Sequence, residues 1–285
     1  MCSLSRPPLS RPARAWCARA RWAWCLLAAF VVAACTTSPL GRRQLKLYSE
    51  AELARSGAAA FEQMKKKVPQ SSDRRTNRYV RCVADAVLSS VPGAIPEHWE
   101  VVVFEDDSAN AFALPGGRIG VHTGLLEVAT TQDQLASVLG HEVAHVLAGH
   151  ANERVSQATL AETGLAVAQV AAGHPSPAQQ QLFGLLGVGA QLGILLPYSR
   201  SHETEADLIG LDLMADAGFD PRQSVTLWEN MSRQAAKAGS GQPPEFLSTH
   251  PAHGTRIHDL EARMPSAMQR YEAVRAAGRT PACVR

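Results

Sequence analysis

Acidic residues are missing from the first 34 positions of this 285-residue chain, although five arginines stand there. Without these five, 23 of the 28 basic residues remain against 26 acidic residues, so the net charge of +2 becomes −3. The chain therefore lacks the basic surplus with which proteins bind nucleic-acid phosphates. It also has no internal repeat of the roughly 20–50 residues that repeat proteins use. We expect no nucleic-acid partner and no repeat array.

Long uninterrupted apolar runs are lacking as well. The run WCLLAAFVVAAC, which ends at Cys35, has about a dozen residues, whereas a membrane-spanning helix needs about twenty. A longer segment, Ala178–Leu196, is interrupted by Gln181 and Gln191. Together with Ala158–Gly173 it is predicted to form a helical hairpin that is buried or covers a groove. No membrane-spanning helix is predicted beyond the signal segment.

The N-terminus has the features of a bacterial lipoprotein signal. Arginines followed by a short apolar run and small residues are typical of a secretory signal peptide. The VAAC tetrapeptide that ends at Cys35 resembles the lipobox, in which the cysteine is lipidated and becomes the first mature residue. We predict a signal peptide over residues 1–34 and a lipidated tether over residues 35–48, exposed over residues 36–45. Thr36, in the place of an aspartate, favours sorting to the outer membrane. Ordinary signal-peptidase cleavage and an uncleaved anchor are the alternatives.

Cysteine is scarce in the remainder of the chain. After Cys35, only Cys82 and Cys283 follow. In an oxidising compartment such a pair favours a disulfide, which would fasten the C-terminal tail to an early helix. Two separate thiols are the alternative. We predict the Cys82–Cys283 bridge.

Hydrophobic periodicity predicts a mostly helical α+β fold with a small antiparallel or mixed sheet. Three short segments have strand character: Trp99–Asp106, Asn110–Pro115 and Arg118–His122. Helical periodicity covers Glu50–Lys67, Asp73–Ser90, Thr131–His150, Ser201–Ala217 and Pro221–Ala238, and a final helix follows near the C-terminus. One main domain is predicted over residues 49–262, followed by a C-terminal helix and tail over residues 263–285.

The segment HEVAHVLAGH, from His141 to His150, has the spacing of a metal site. His141 and His145 are four residues apart, so on a helix their imidazoles share one face and can bind one ion. His150, nine residues from His141, is half a turn out of phase with it on a continuous helix and would point away from an ion that the first two histidines bind. The metzincin pattern HExxHxxGxxH fails, because Gly149 and His150 have the wrong spacing. The third ligand must therefore come from a different element.

The segment SRSHETEAD, residues 199–207, offers that ligand. Glu203 can complete a zinc site of two histidines and one carboxylate, which leaves an open position for water. Asp207, one helical turn further on, can hold the free nitrogen of a ligating histidine. Glu205 points the other way and is predicted to be solvated. The alternative, a metal-free pair of core histidines, would leave buried polar groups without partners.

These motifs, together with STHPAHGTRI at residues 248–257, resemble the gluzincin peptidases of the BepA, LoiP and Oma type, which are related to HtpX and the CAAX prenyl endopeptidase. The resemblance covers residues 40–262 approximately. It implies a zincin-type catalytic domain with an HExxH active-site helix. It also implies one Zn²⁺ per chain, with the protein ligands His141, His145 and Glu203.

The same resemblance assigns roles around the ion. Glu142 is the implied general base, which takes a proton from water, and Asp207 is implied to orient a ligand. His250 is implied to occupy the open zinc position and hold the enzyme latent, or to stabilise the oxyanion, whereas a capping or loop histidine near Arg256 is the alternative. The candidates for stabilising the oxyanion remain open: Tyr198, His202 and His253.

NAFALPGG has the alternation of an edge strand. The backbone of Asn110, Ala111, Phe112 and Ala113 is therefore predicted to bind an extended peptide. A plain hairpin strand is the alternative. Recognition of this kind contacts mainly the backbone, which suits unfolded substrates.

We therefore expect a zinc endopeptidase, lipid-anchored on the periplasmic face of the outer membrane, that hydrolyses unfolded or misassembled envelope proteins. BepA-type members continue into a helical repeat domain that docks on outer-membrane assembly machinery. Few residues follow Arg263 here, so that partner is not expected, and the layout is nearer to the short LoiP-like lipoproteins. A lipid-anchored chaperone or assembly factor with a latent zinc site is the alternative function.

Overall fold

The computed structural model describes residues 35–171, 198–237, 246, 250 and 255–285. Its strands within these ranges are β1 (Cys35–Thr37), β2 (Arg43–Leu45), β3 (Glu100–Phe104), β4 (Ala111–Leu114) and β5 (Arg118–His122). Its helices there are α1 (Glu50–Lys67), α2 (Arg74–Ser89), α3 (Gln132–Leu147), α4 (His150–Ala171), α5 (Arg200–Asp216), α6 (Gln223–Lys237) and α7 (Arg256–Ala276). The predicted mostly helical α+β fold is confirmed. The predicted signal peptide and the apolar segment Ala178–Leu196 lie outside the described residues.

Local sequence sets where the two site-bearing helices begin. The Thr131 hydroxyl accepts a hydrogen bond from the Gln134 amide at the start of α3. The Ser199 hydroxyl accepts one from the His202 amide at the start of α5. Both caps satisfy amides that have no partner in the first helical turn, which fixes the position of each helix start.

Helices α3 and α5 approach each other closely at two glycines. A β-carbon added to Gly140 would lie 2.8 Å from the Gly210 carbonyl oxygen, and one added to Gly210 would lie 2.7 Å from the His141 amide nitrogen. Both distances are too short for a real β-carbon, so this approach requires glycine on each helix. The contact brings His141 on α3 next to the carboxylates of α5.

The small sheet is mixed, in the order β3-β5-β4. β3 and β5 are parallel, with Val101 opposite Ile119, whereas β4 and β5 are antiparallel, with Ala111 opposite Val121. β4 therefore lies at an edge, where the sequence predicts an edge strand. The largest hydrophobic core joins this sheet to α2, α3 and α5.

Strands β1 and β2 form an antiparallel hairpin, with Thr36 opposite Gln44. The expectation of an exposed tether is wrong at two positions of this segment, because Ser38 and Gln44 are only 5% and 2% exposed. The Gln44 side-chain amide donates to the Ala148 carbonyl oxygen at the end of α3, at 2.8 Å. The partners that bury these side chains lie more than a hundred residues away, so local composition could not indicate them.

The C-terminus is fastened to α2. Cys82 and Cys283 are joined by a disulfide, with their Cα atoms 5.7 Å apart. Helix α7 continues without interruption through residues 262 and 263, where the sequence suggested a domain boundary. Across the described ranges, no helix is long and apolar enough to span a lipid bilayer.

Candidate metal centre

Four buried side chains converge where α3 and α5 meet. They are His141, His145, Glu203 and His250, and each offers one donor atom within 4.8 Å of the others. Helix α3 carries the two histidines one turn apart, and α5 carries the fully buried glutamate. The structure thus brings together the three predicted ligands and the predicted fourth donor.

The hydrogen bond between His141 and Asp207 leaves the Nε2 atom of His141 free to bind a cation. His141 Nδ1 lies 2.9 Å from Asp207 Oδ1. Because a carboxylate can only accept, His141 carries its proton on Nδ1 and presents a lone pair at Nε2. That Nε2 lies 3.0 Å from His145 Nε2. Two inward-facing imidazole nitrogens at this separation fit a metal ion that both of them bind.

The charge balance also fits a dication. Glu142, Glu203 and Asp207 bring three carboxylates into this buried region and Arg256 brings one guanidinium, a balance of −2 when all are ionised. Arg256 Nη1 lies 2.8 Å from Glu203 Oε2, and its Nε donates to Asp207 Oδ2 at 2.6 Å. Burial raises the pKa of Asp207, but Arg256 and His141 together outweigh burial and hold the pKa below its ordinary value. A buried negative surplus is unfavourable without a cation, and this donor set is the one zinc prefers.

Glu142 lies beside the four donors and is placed for proton transfer. Its Oε2 accepts a hydrogen bond from the Ala113 amide at 3.2 Å. Its Oε1 accepts no hydrogen bond from the described residues, and His250 Nε2 lies 3.3 Å away. Burial raises the pKa of the Glu142 carboxyl group above its ordinary value. The ionised form is therefore a stronger proton acceptor than a surface glutamate.

His250 fills the fourth side of the cluster. Its Nδ1 lies 3.0 Å from Glu203 Oε1 and 3.2 Å from His141 Nε2. Its ring stacks on Phe246, with the centroids 4.6 Å apart. The contact with Arg256, which the alternative role requires, is a long bond of 3.4 Å to the His250 carbonyl oxygen. The imidazole of His250 therefore faces the metal donors.

The free edge of β4 faces the helix that carries Glu142. Asn110 accepts a hydrogen bond from β5 at 3.0 Å, so Asn110 and Phe112 direct their backbone groups toward β5 in the antiparallel pair. Ala111 and Ala113 direct theirs to the other side, where the Ala113 amide meets Glu142. A peptide strand added at this edge would run past Glu142 and the metal donors.

Two expectations about nearby polar residues need correction. Gly149, with φ of 67°, turns the chain after α3, so His150 begins α4 and does not continue the first helix. His150 is not among the four donors, yet its Nδ1 lies 2.9 Å from His145 Nδ1. Glu205, predicted to be solvated, is only 4% exposed and has polar partners on three sides.

Arg256 is the main site residue that the sequence did not reveal. It is 1% exposed, and its guanidinium lies 3.9 Å above the Trp228 ring. The available signal was an arginine shortly after the His-Pro motif, which alone does not indicate a buried ion pair.

The candidates for stabilising the oxyanion differ in where the structure places them. The Tyr198 ring stacks on His145, with centroids 3.9 Å apart, and therefore lies beside the cluster. His202 lies 3.1 Å from Glu153 and stacks on His150. His253 lies outside the described residues. Of the two candidates that the structure describes, Tyr198 is the one placed against a metal donor.

Comparison with known proteins agrees with this geometry. The model of the family described as Peptidase family M48 matches residues 74–264. The chain is 40% identical over 197 residues to the mitochondrial metalloendopeptidase OMA1 of Schizosaccharomyces pombe, covering 69% of this chain and 56% of the relative. It is 33% identical to the human metalloendopeptidase OMA1, covering 81% and 44%, and 28% identical to the β-barrel assembly-enhancing protease of Escherichia coli K12, covering 82% and 48%. These matches confirm the resemblance to Oma- and BepA-type peptidases. The chain spans about half the length of these relatives.

Proposed function

Because the chain belongs to peptidase family M48, we propose that it is a zinc-dependent endopeptidase with His141, His145 and Glu203 as its zinc ligands. The observation that supports this most directly is the buried donor cluster with a carboxylate, Glu142, immediately beside it. Metallopeptidases need this combination because one group must hold the ion while another moves the proton.

In the proposed reaction, zinc bound at this site supplies a Lewis acid that activates water and polarises the scissile carbonyl group. Glu142 Oε1, which has no hydrogen bond from the described residues, accepts the proton of the attacking water. The same carboxyl group then donates the proton to the leaving amine. Its other oxygen stays fixed by the Ala113 amide, which keeps the acceptor oriented.

The proposed substrates are extended polypeptides. The outward amide and carbonyl of Ala111 and the outward carbonyl of Ala113 can pair with a peptide as an additional antiparallel or parallel strand, while the Ala113 amide stays on Glu142. Such pairing needs a stretch of chain without its own secondary structure, so folded proteins would be poor substrates. This selects unfolded or misassembled proteins by their conformation and imposes little sequence preference.

The proposed location is the bacterial cell envelope, on the periplasmic face of the outer membrane. The VAAC motif ending at Cys35 supports lipidation, and one relative is named as a bacterial β-barrel assembly-enhancing protease. Metabolic labelling with a fatty acid tests the anchor: the wild-type chain should incorporate label and Cys35→Ala should not. Equal labelling of both would remove Cys35 as the lipid site.

A second function, that of a lipid-anchored chaperone or assembly factor with a latent zinc site, is favoured by the position of His250. A fourth protein donor closes a zinc site that would otherwise keep one position for water. We therefore propose that His250 acts as a latch. His250→Ala should retain zinc and cleave unfolded casein faster than the wild type, whereas an unchanged rate with full zinc content would leave His250 a structural residue.

The decisive experiment compares the wild type with Glu142→Gln on unfolded casein, with and without a chelator. The wild type should cleave only without chelator, and Glu142→Gln should bind zinc but not cleave. Equal cleavage by both proteins would end the peptidase proposal. Equal rescue of an envelope-stress phenotype by both would favour the chaperone function.

A further inference from the structure

We propose that the N-terminal hairpin β1–β2 is part of the metal site, because it positions the ligand His145 through a relay of three residues. In this relay Arg42 holds Glu205, Glu205 holds His150, and His150 holds His145. The inference rests on the proposed zinc site. It adds that the affinity for the ion depends on a segment outside residues 74–264, the part of the chain that matches the M48 family model.

The inner half of the relay follows from the tautomers of two buried imidazoles. If His145 binds the ion through Nε2, its Nδ1 carries the proton and donates to His150 Nδ1, 2.9 Å away. His150 is then protonated on Nε2, which donates to Glu205 Oε2 at 3.1 Å. Because Glu205 as a carboxylate can only accept, this is the arrangement in which two neutral rings satisfy both bonds. Glu205 thereby selects the tautomer that presents a lone pair at His145 Nε2.

The outer half of the relay comes from the hairpin. Arg42 Nε donates to Glu205 Oε2 at 2.9 Å, while Nη1 and Nη2 donate to the two oxygens of Glu153, each at 2.7 Å. The Ser38 hydroxyl donates to the second oxygen of Glu205. An arginine held at three nitrogens fixes the direction of its partner carboxylate as well as its distance. The carboxylate that orients His150 is thus held on both oxygens by the hairpin.

Each of the two histidine ligands is therefore positioned by a series of side-chain contacts that ends at an arginine. His141 is backed by Asp207, which Arg256 holds, and all three lie on α3, α5 and α7. His145 is backed by His150 and then by Glu205, whose arginine comes from the N-terminal hairpin. Loss of such supports typically lowers metal affinity about ten- to hundred-fold. The hairpin should accordingly contribute to zinc affinity, although it supplies no ligand.

Zinc affinity, measured by competition with a chromophoric chelator on the full mature chain, tests the relay. Arg42→Gln and the nearly isosteric Glu205→Gln should each weaken zinc binding about tenfold or more. Arg42→Lys, which keeps the charge, should recover part of the affinity. The matched control is Arg43→Gln, an exposed neighbour in the same hairpin, which should bind zinc like the wild type.

A second readout separates positioning of His145 from general stabilisation. With Co²⁺ in place of zinc, the visible absorption spectrum should change in His150→Leu and remain unchanged in Arg43→Gln. Folded variants of Arg42 and Glu205 with wild-type zinc affinity would overturn the relay, even if they melt earlier. Should Arg42→Gln not fold, Glu205→Gln decides. A wild type without zinc affinity would overturn both the proposed function and the relay, whereas zinc-binding variants indistinguishable from a zinc-binding wild type would overturn the relay alone.

Discussion

Replacement of Arg256 by methionine should destabilise the metal-free protein strongly. The side chain is 1% exposed, and its guanidinium reaches Asp207 at 2.6 Å through two nitrogens and Glu203 at 2.8 Å. Methionine keeps most of the volume but removes the charge, so two buried carboxylates lose their cation. Removal of one member of a buried ion pair costs about 3–5 kcal/mol. We expect the free energy of unfolding to fall by that amount in chelator, and by less with zinc, because the ion compensates Glu203.

Urea unfolding followed by circular dichroism measures this loss. Arg270→Met is the matched control, since Arg270 is 43% exposed and pairs with Asp216 at 2.7 Å. Exposed pairs contribute about 0–1 kcal/mol. The double variant Arg256→Met/Asp207→Asn should lose less than the sum of the two single variants, because it leaves one charge fewer without a partner. Equal losses for Arg256→Met and Arg270→Met, or strict additivity in the double variant, would show that Arg256 does not stabilise the fold through its buried carboxylate partners.

Three further predictions concern other parts of the molecule. Replacing Cys82 and Cys283 by serine should lower the free energy of unfolding by about 2–5 kcal/mol, because the bridge joins residues 201 apart in sequence; urea midpoints that match those of the oxidised wild type would contradict this. Ala111→Pro removes an amide on the free edge of β4 but no hydrogen bond within the sheet. The variant should therefore cleave casein more slowly and keep its zinc content, whereas unaltered cleavage would exclude substrate binding as a strand added to β4. Burial raises the pKa of Glu153, but Arg42, His202 and Gln44 together outweigh burial and hold the pKa below the ordinary 4.5. The ionised carboxylate therefore stabilises the fold above that value, and this contribution is lost as the pH falls through the lowered pKa. The wild type should lose more stability than Glu153→Gln on acidification below about pH 4.5, and parallel losses would argue against the ion pair.

The donor trio was predictable because each part leaves a local trace in the sequence. Two histidines four residues apart share a helix face, and Glu203 begins a segment with its own helical spacing. The residues that position His145, namely His150, Glu205 and Arg42, left no such trace. Gly149 ends the helix, so His150 Nδ1 lies within hydrogen-bonding distance of His145 Nδ1. A continuous helix would not bring the two rings together in this way. Helical phase alone also placed Glu205 in solvent.

The hairpin shows the same limit more strongly. The segment around Arg42 has the polar and small residues of a linker, and local composition therefore predicts exposure. Its actual partners, Glu153 and Glu205, lie 111 and 163 residues away. Long-range ion pairs of this kind depend on how helices pack, and local sequence patterns do not indicate that packing.

The proposed zinc site requires that α3 and α5 hold one ion jointly. Elemental analysis of protein purified without chelator tests it, with Glu203→Ala beside the wild type. The wild type should contain one zinc per chain, and Glu203→Ala should lose most of it while Glu205→Ala, two residues along the same helix, retains more. A wild type without zinc, or a Glu203→Ala protein with full zinc content, would show that α3 and α5 do not hold one zinc ion jointly.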